Sequence, residues 1–426
     1  MKPNELIARL QAGALGGYRH LYGDEIAYQT ERYCRAVKEF AALYGEDRDV
    51  FVFSVPGRTE VCGNHTDHNH GRVLAAGIDR DIIAVASPSG ENVVRVRSEG
   101  YPEDRVPLEY CDNPEKQKAF KSNALVTGMC GGFRKWGYRI GGFDAYTTSR
   151  VLKGSGISSS AAFEVMVGNI LNYLYNDGTV KNEEIAKIAQ YAENVYFGKP
   201  CGLMDQMACA VGGFVYIDFE DPKDPKIEPI SFSLDDAGYV LCIVNTGGNH
   251  ANLNADYASV PQEMKAVAAA FGREVLRGLS EADIRKKIPE LRKTVGDRAI
   301  LRALHFVREN DRVAQAARAL RAGETDTFLS DIRASGDSSF KYLQNVYTTQ
   351  NVAEQGLSLA LAVTEGLLDG KGCAWRVHGG GFAGTIQVFV KREYADDYRR
   401  EMDAVFGEGA AMVLHIRPAG AVRIDL

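Results

Sequence analysis

Residues 153–162 restrict this chain more than any other stretch: Lys153, Gly154, Ser155, Gly156, Ile157, Ser158, Ser159, Ser160, Ala161, Ala162. A strand-like run, Phe143 to Val151, leads into them, and a patterned helix follows. In that helix Ala161, Ala162, Val165, Met166, Asn169, Ile170, Tyr173 and Leu174 recur at helical spacing, an apolar face broken only by Asn169. The glycines permit positive φ and let the backbone pass close to a ligand. The serines bring short hydroxyls and an N-cap beside free amides. Those amides and the helix dipole together make an anion site, for which phosphate is the natural guest. The stretch is not a Walker A loop, because no Gly-Lys-Ser/Thr ends it. It is not the dinucleotide fingerprint, because Ser159 stands where the third glycine belongs. A Gly/Ser turn that only caps a helix is the alternative, and the rest of the chain has to decide.

A length of 426 residues points to about two domains. With 45% apolar residues the chain can bury substantial cores. A net charge of −6 argues against nucleic-acid or anionic-membrane partners, which call for a basic face. No apolar run approaches the roughly 18 residues of a membrane span. The start, Met1-Lys2-Pro3-Asn4-Glu5, lacks a signal-peptide core. Eight cysteines are scattered without CxxC spacing, so they read as small core residues in a reducing cytoplasm rather than a disulfide framework. The chain is expected to act as a cytoplasmic monomer.

Residues 1–48 read as a polar helical segment without chemistry. Phe51 to Val55 reads as a buried strand stopped by Pro56-Gly57. Then comes a dense polar cluster, Arg58 to His70, between that strand and a second one from Arg72 to Ile83. Three readings stay open for it: metal binding through His65, His68 and His70, recognition of a polyhydroxylated ligand by amides and carboxylates, or a solvated loop. Strands are expected at Asp81–Ser87 and Asn92–Ser98, and a helix from Glu115 to Trp136. Another helix, capped by Asn182, runs to Tyr196 and carries Glu193 near its end. Asp205 stands among Leu203, Met204 and Met207. It is paired, functional or a helix cap, since burying an unpaired charge is costly. The Pro/Asp/Lys-rich stretch from Glu220 to Pro229 reads as an exposed loop. Tyr257 reads as a helix aromatic or a ligand contact. Three helices between Asp297 and Asp369 read as a bundle layer rather than a site. Gly379, Gly381 and Gly384 match GxGxxG only formally, because a strand follows; they still demand close backbone approach to a ligand or a neighbouring loop. Irregular alternation of strands and helices favours α+β over a doubly wound fold.

Four segments together resemble one family. Pro56-Gly57-Arg58 through Asn69, with Gly71 and Val73-Leu74, is similar to the galactokinase signature. Gly154 to Ala161 resembles the nucleotide loop of the wider GHMP small-molecule kinases, and Gly379 to Gly384 their third motif. Gly202-Leu203-Met204-Asp205-Gln206 resembles the galactokinase form of the catalytic-aspartate segment. The resemblance implies an α+β GHMP kinase of two domains, 1–198 and 199–426, with the active site in the cleft between them. It implies ATP, Mg²⁺ and phosphorylation of a sugar's anomeric hydroxyl. By position, Asp205 is the general base, and Arg58 keeps it ionised and offsets charge on the transferred group. Lys153, Gly154, Ser155, Gly156, Ile157, Ser158, Ser159 and Ser160 hold ATP. Ser160 and Glu193 hold the metal, while Asn64, His65, Asp67 and Tyr257 face the sugar.

The chain departs from the family pattern at three places: Asn64 where Glu is usual, Glu60 where Asn is usual, and His68 where Tyr is usual. The family's glutamate contacts the sugar's 6-hydroxyl. A neutral Asn64 can accept or donate and would not repel a C6 carboxylate, so galacturonate or the pentose arabinose joins galactose as an expected substrate. A non-catalytic sugar and ATP sensor acting on a partner protein is the reading from a different class; Arg58, Asp205, Ser160 and Glu193 argue against it.

Overall fold

In the computed structural model, which describes residues 1–116, 120–151, 156–199, 201–248 and 253–426, Pro56-Gly57 does not stop the first strand. Strand β1 runs from Phe51 to Cys62 and β2 from Arg72 to Pro88. The two expected strands Arg72–Ile83 and Asp81–Ser87 are one. Pro56 pairs with Asp81 but Arg58 with Gly77, so β2 carries extra residues opposite Gly57. Such a bulge twists the strand and re-aims a side chain. Pro56, which has no amide to give to the ladder, is tolerated at such a place. This is how Arg58 comes to leave the sheet toward the glycine-serine loop.

The first sheet continues with β3 (Val93–Ser98), β4 (Glu103–Pro107), β5 (Phe143–Ser149), β6 (Phe214–Asp218) and β7 (Lys226–Ile230). The second is built from β8 (Tyr239–Asn245), β9 (Ala374–His378), β10 (Thr385–Lys391) and β11 (Ala411–Leu414). A last strand, β12 (Val422–Ile424), returns to the first sheet. Its order is β12-β1-β2-β5-β3-β4, with β6 joined to β2 and β7 to β6; the second sheet is β11-β8-β10-β9. All pairings are antiparallel except β3 with β5, so the α+β expectation stands. The long β2 changes neighbours along its length: residues 82–88 pair with β5 and residues 72–76 with β6.

β1 and β2 are covered on both faces, which is why they read as near-continuous apolar runs. Val52, Ile83 and Val85 face the N-terminal helices and pack with Leu10, Val37 and Phe40. Phe53, Val55, Ala84 and Ala86 face the other way, into the main core with Val165, Met166 and Ile188. The polar N-terminal segment is thus a cover for a sheet face rather than an appendage. A cut at 198/199 does not follow the sheets, because β6, β7 and β12 belong with the N-terminal strands.

Other local expectations shift. The helix before Trp136 begins only at Ser122. Asn182 does not cap its helix; Lys181 holds that position and the Asn182 amide donates to the Ala421 carbonyl at 3.2 Å. β7 occupies the end of the stretch expected as an exposed loop. The helices Asp297–Ala322 and Thr325–Ser338 do more than form a layer, because they carry buried polar groups to the back of the site described next.

Candidate active site

Arg58 and Asp205 lie 147 positions apart and meet in a bidentate ion pair. Arg58 Nε donates to Asp205 Oδ1 at 2.7 Å and Nη2 to Oδ2 at 2.9 Å. Nη1 donates to the Gly156 carbonyl at 2.5 Å, and the Arg58 amide donates to the Ile157 carbonyl at 3.1 Å. Gly57 has to be glycine here: a Cβ would stand 2.7 Å from the Ile157 oxygen. The guanidinium therefore fastens the acid and the glycine-serine loop to one strand. Asp205 is not a helix cap; it sits in the first turn of the helix Met204–Val211. Its side chain remains about one-third exposed, at 34%. Burial pushes its pKa up, but the charge and hydrogen bonds of Arg58, then the Ser158 hydroxyl, outweigh burial and hold the carboxyl below its usual value. It is an ionised acceptor open to a ligand.

Ser158 sits at the N-terminus of the helix Ser159–Tyr175 with φ +61°, and its hydroxyl caps nothing. It donates instead to Asp205 Oδ2 at 2.5 Å. Gly156 (φ +74°) packs where a Cβ would come 3.0 Å from Thr385 Oγ1. Ile157 is buried and Ser159 half-buried. Lys153, Gly154 and Ser155 lie outside the described residues.

Beside this loop, Ser160 Oγ lies 3.5 Å from Glu193 Oε1. Glu193 sits in a π-helical turn, Ala192–Phe197, that continues the helix Asn182–Tyr191; such turns often mark functional positions. Its carboxylate is buried, with Lys199 Nζ at 3.0 Å and the Gln206 amide donating at 2.7 Å. The same amide donates to Glu164 at 3.2 Å. Burial, and then the charge of Glu193, raise the Glu164 pKa well above normal. A hydroxyl and one buried carboxylate are the hard oxygen donors that Mg²⁺ prefers when most of its ligands are water and phosphate. The expected residues fit that ion.

On the opposite side, three successive carbonyls of the glycine turn anchor three expected sugar-facing residues. Gly379 accepts from the Asn64 amide at 2.7 Å, Gly380 from His65 Nε2 at 2.9 Å, and Gly381 from the Tyr257 hydroxyl at 2.9 Å. Gly379 and Gly381 have φ of +68° and +81°. A Cβ on Gly380 would stand 2.7 Å from the Tyr257 ring. Burial lowers the His65 pKa to about 4, so the ring is neutral near pH 7. Asp67 is one-fifth exposed, at 22%, and its Oδ2 stands 2.4 Å from where a Cβ on Gly202 would be. The expected pocket-facing acid thus touches the segment that carries Asp205. Asn64, by contrast, is completely buried. Among the described residues no group of three His, Cys, Asp or Glu side chains is placed to hold a metal, so His65, His68 and His70 do not form one. His65 turns inward to Gly380, while His68 is exposed.

The residue patterns could not reveal the wall behind this site. His378 Nε2 accepts from the Glu60 amide at 3.3 Å, and Nδ1 donates to Thr385 Oγ1 at 2.9 Å. Burial and the nearby charge of Arg58 keep this histidine neutral. His305 and Ser339, both in the supposed bundle layer, donate to Asn64 at 3.0 and 3.1 Å. Their signal is weak: His305 is a single polar residue between Ala303-Leu304 and Phe306-Val307, and Ser339 one of several nearby serines, with no periodicity to mark either.

All eight cysteines are free and seven are buried, as expected of core residues. No described helix is long and apolar enough to cross a membrane.

Comparison with known proteins agrees with this geometry. The galactokinase galactose-binding signature matches residues 38–88, and the GHMP kinase N-terminal domain matches residues 124–213. A galactokinase of Actinobacillus pleuropneumoniae is 30% identical over 370 residues, covering 86% of this chain and 91% of that protein. A galactokinase of Streptomyces coelicolor is 29% identical over 392 residues, covering 91% and 97%. The crystal structure of Lactococcus lactis galactokinase complexed with galactose superimposes with a TM-score of 0.76 at 25% identity, covering 90% of this chain and 98% of that one. Methanococcus jannaschii mevalonate kinase shares the fold, with a TM-score of 0.60 at 14% identity. The chain belongs to the galactokinase family of GHMP kinases, phosphotransferases that act on a sugar hydroxyl.

Proposed function

We propose that the protein transfers the γ-phosphoryl group of ATP to the anomeric hydroxyl of galactose. The observation that carries this reading is the ionised Asp205, clamped by Arg58 and Ser158 directly beside Gly156 of the nucleotide loop. The hydroxyl donates to Asp205 and attacks the γ-phosphorus. An O–P bond forms, the bond to the β,γ-bridging oxygen breaks, ADP leaves, and the hydroxyl proton passes to the carboxylate. Arg58 offsets negative charge around the group in flight. A carboxylate with a depressed pKa is a modest base, so Asp205 acts chiefly by positioning and electrostatics, as phosphoryl transfer allows. Ser160 and Glu193 are the residues to hold Mg²⁺, which would neutralise phosphate charge. Glu193 would then exchange its Lys199 partner for the ion. His65, Asp67 and Tyr257 line the sugar side, two of them fixed by the glycine turn.

The test is ADP release with purified protein, ATP, Mg²⁺ and a panel of hexoses, uronic acids and pentoses. Galactose is expected to be turned over. Asp205→Ala should reduce turnover about 10²–10⁴-fold with ATP binding intact. Near-normal turnover in that variant would refute the role of Asp205. Binding of sugar and ATP without turnover in the wild type would make the protein a sensor instead.

A further inference from the structure

Asn64 occupies the position from which the substrate's identity was expected to be read, yet it has nothing left to offer a ligand. Its amide nitrogen donates to Glu60 and to the Gly379 carbonyl. Its amide oxygen accepts from Ser339 Oγ at 3.1 Å and from Asn345 Nδ2 at 3.4 Å. An Asn side chain has two N–H donors and two lone pairs on oxygen, and all four are engaged. Its exposure is 0%.

Glu60 is the group that Asn64 holds. It lies two residues beyond Arg58 on β1, so the two side chains leave the strand on the same side. One carboxylate oxygen takes the Asn64 amide. The other accepts no hydrogen bond from a described residue, yet is not among the sealed polar atoms. Glu60 keeps 8% of its side chain exposed. Burial raises its pKa above the usual carboxylate value, the charges of Arg376 and then Arg58 pull it back down, and those of Asp67 and Asp205 add to the rise. The acid therefore stands among the groups of the cleft. Behind it, Arg376 is completely buried with Nη1 3.8 Å from Glu60 Oε1, and its Nε and Nη2 have no hydrogen-bond partner among the described residues. A sealed guanidinium requires an anion close by, and Glu60 is its ion-pair partner.

We infer that Glu60, rather than Asn64, is the specificity-determining residue of the sugar pocket: it accepts a hydrogen bond from a substrate hydroxyl and excludes sugars that bring a carboxylate of their own. This rests on the sugar-kinase reading above. The negative charge that the family pattern carries at the position of Asn64 is not lost from the pocket; it sits four residues earlier, at Glu60, backed by Arg376. A uronic acid entering this cleft adds a negative charge to a site that already holds Glu60, Asp67 and Asp205, and like charges disfavour one another. The substrate class is accordingly a neutral polyhydroxylated sugar, and galacturonate is not a substrate.

The experiment measures kcat and KM for galactose, galacturonate and the 2-, 3-, 4- and 6-deoxygalactoses with wild type, Glu60→Gln and Asn64→Ser. Glu60→Gln should lose about 10–100-fold in kcat/KM on galactose, the range of one hydrogen bond to a charged group. The KM for ATP should stay within about twofold, and activity on galacturonate should rise. On one deoxy-sugar the substitution should cause no further loss, which identifies the hydroxyl that Glu60 accepts. Asn64→Ser should lower thermal stability and, because it loosens the hold on Glu60, move sugar preference only in the direction that Glu60→Gln moves it. A Glu60→Gln enzyme impaired equally on every sugar, or in ATP binding, overturns the inference; so does a change of sugar preference in Asn64→Ser alone. If Glu60→Gln does not fold, Glu60→Asp, which keeps the charge and withdraws it by one methylene, must show the same selective loss. Wild type inert on every sugar would overturn the kinase reading and this inference with it, whereas active wild type with a uniform Glu60→Gln defect overturns the inference alone.

Discussion

Arg58 shows how one side chain can serve two ends of a site. Its three guanidinium contacts join the acid to the glycine-serine loop, and its rigid fork is what makes the contact with Asp205 two-pronged. Lysine has the charge without the fork. Arg58→Lys is expected to cut kcat about 10²-fold, the usual loss for an aimed electrostatic donor. It should also change the pH profile in a definite direction. Burial raises the Asp205 pKa and Arg58 lowers it. Weakening Arg58 leaves burial in place, so the carboxyl titrates at higher pH and the acid limb of kcat against pH moves upward. An unmoved limb in that variant would mean that Arg58 does not set the charge of Asp205. Ser158 makes a related point: its place at a helix start suggested a cap, but its hydroxyl belongs to Asp205.

Among the elements, the glycine turn between β9 and β10 is a rack of carbonyls. Gly379, Gly380 and Gly381 accept from Asn64, His65 and Tyr257, and Asn345 joins at Gly380 with 3.1 Å. Gly381 has φ +81°, and a Cβ there would stand 2.0 Å from the Asn345 carbonyl oxygen. Left-handed strain alone is worth about 1–3 kcal/mol, and the clash adds to it. Gly381→Ala should therefore lower the melting temperature by several degrees and raise KM for the sugar more than KM for ATP. Equal effects on both substrates would show that the turn does not organise the sugar side. Strand β1 is the second instructive element. Its residues announced a strand up to Val55 and a stop at Pro56-Gly57; the stop is a bulge, because β2 supplies the extra residues that let pairing resume at Arg58.

At the scale of the molecule, Asp81 ties distant parts of the chain together. It is fully buried where Arg32 of the helix Ile26–Tyr44, Ser54 of β1 and Arg417 near the C-terminus converge, at 2.5, 2.5 and 3.3 Å. Tyr22 OH donates to it at 3.0 Å. Burial pushes its pKa up, but Arg32 and Arg417 pull it down to about 2. The folded value lies below the unfolded one of about 3.9. The group therefore stabilises the fold above pH ~4, and that contribution, about 2–3 kcal/mol, drains away as pH falls toward 2. Urea midpoints of the wild type should decline across that window. Asp81→Asn leaves two buried guanidinium groups without their anion, so it should cost about 3–5 kcal/mol at pH 7 and flatten the decline. A decline as steep in Asp81→Asn as in the wild type would assign the acid sensitivity elsewhere.

Much of this is legible in the sequence alone. Period and turn chemistry located the helix after Ser158, most strands of both sheets and the two glycine-rich turns, because those signals are local: burial on one face, positive φ, a missing Cβ. Motif order alone was enough to suggest the family. What local pattern could not carry was partnership. Arg58 and Asp205 are 147 positions apart, and nothing between them encodes their meeting. Strand register, with the bulge that turns Arg58 outward, follows from how β2 pairs on both its edges. The roles of Glu60 and Asn64 depend on which of them the helices behind the site seal off. Residue types and short-range spacing thus dictate the elements and the chemistry available to them. Packing decides which hydrogen-bonding groups remain unsatisfied at the cleft, and only those can act on a ligand.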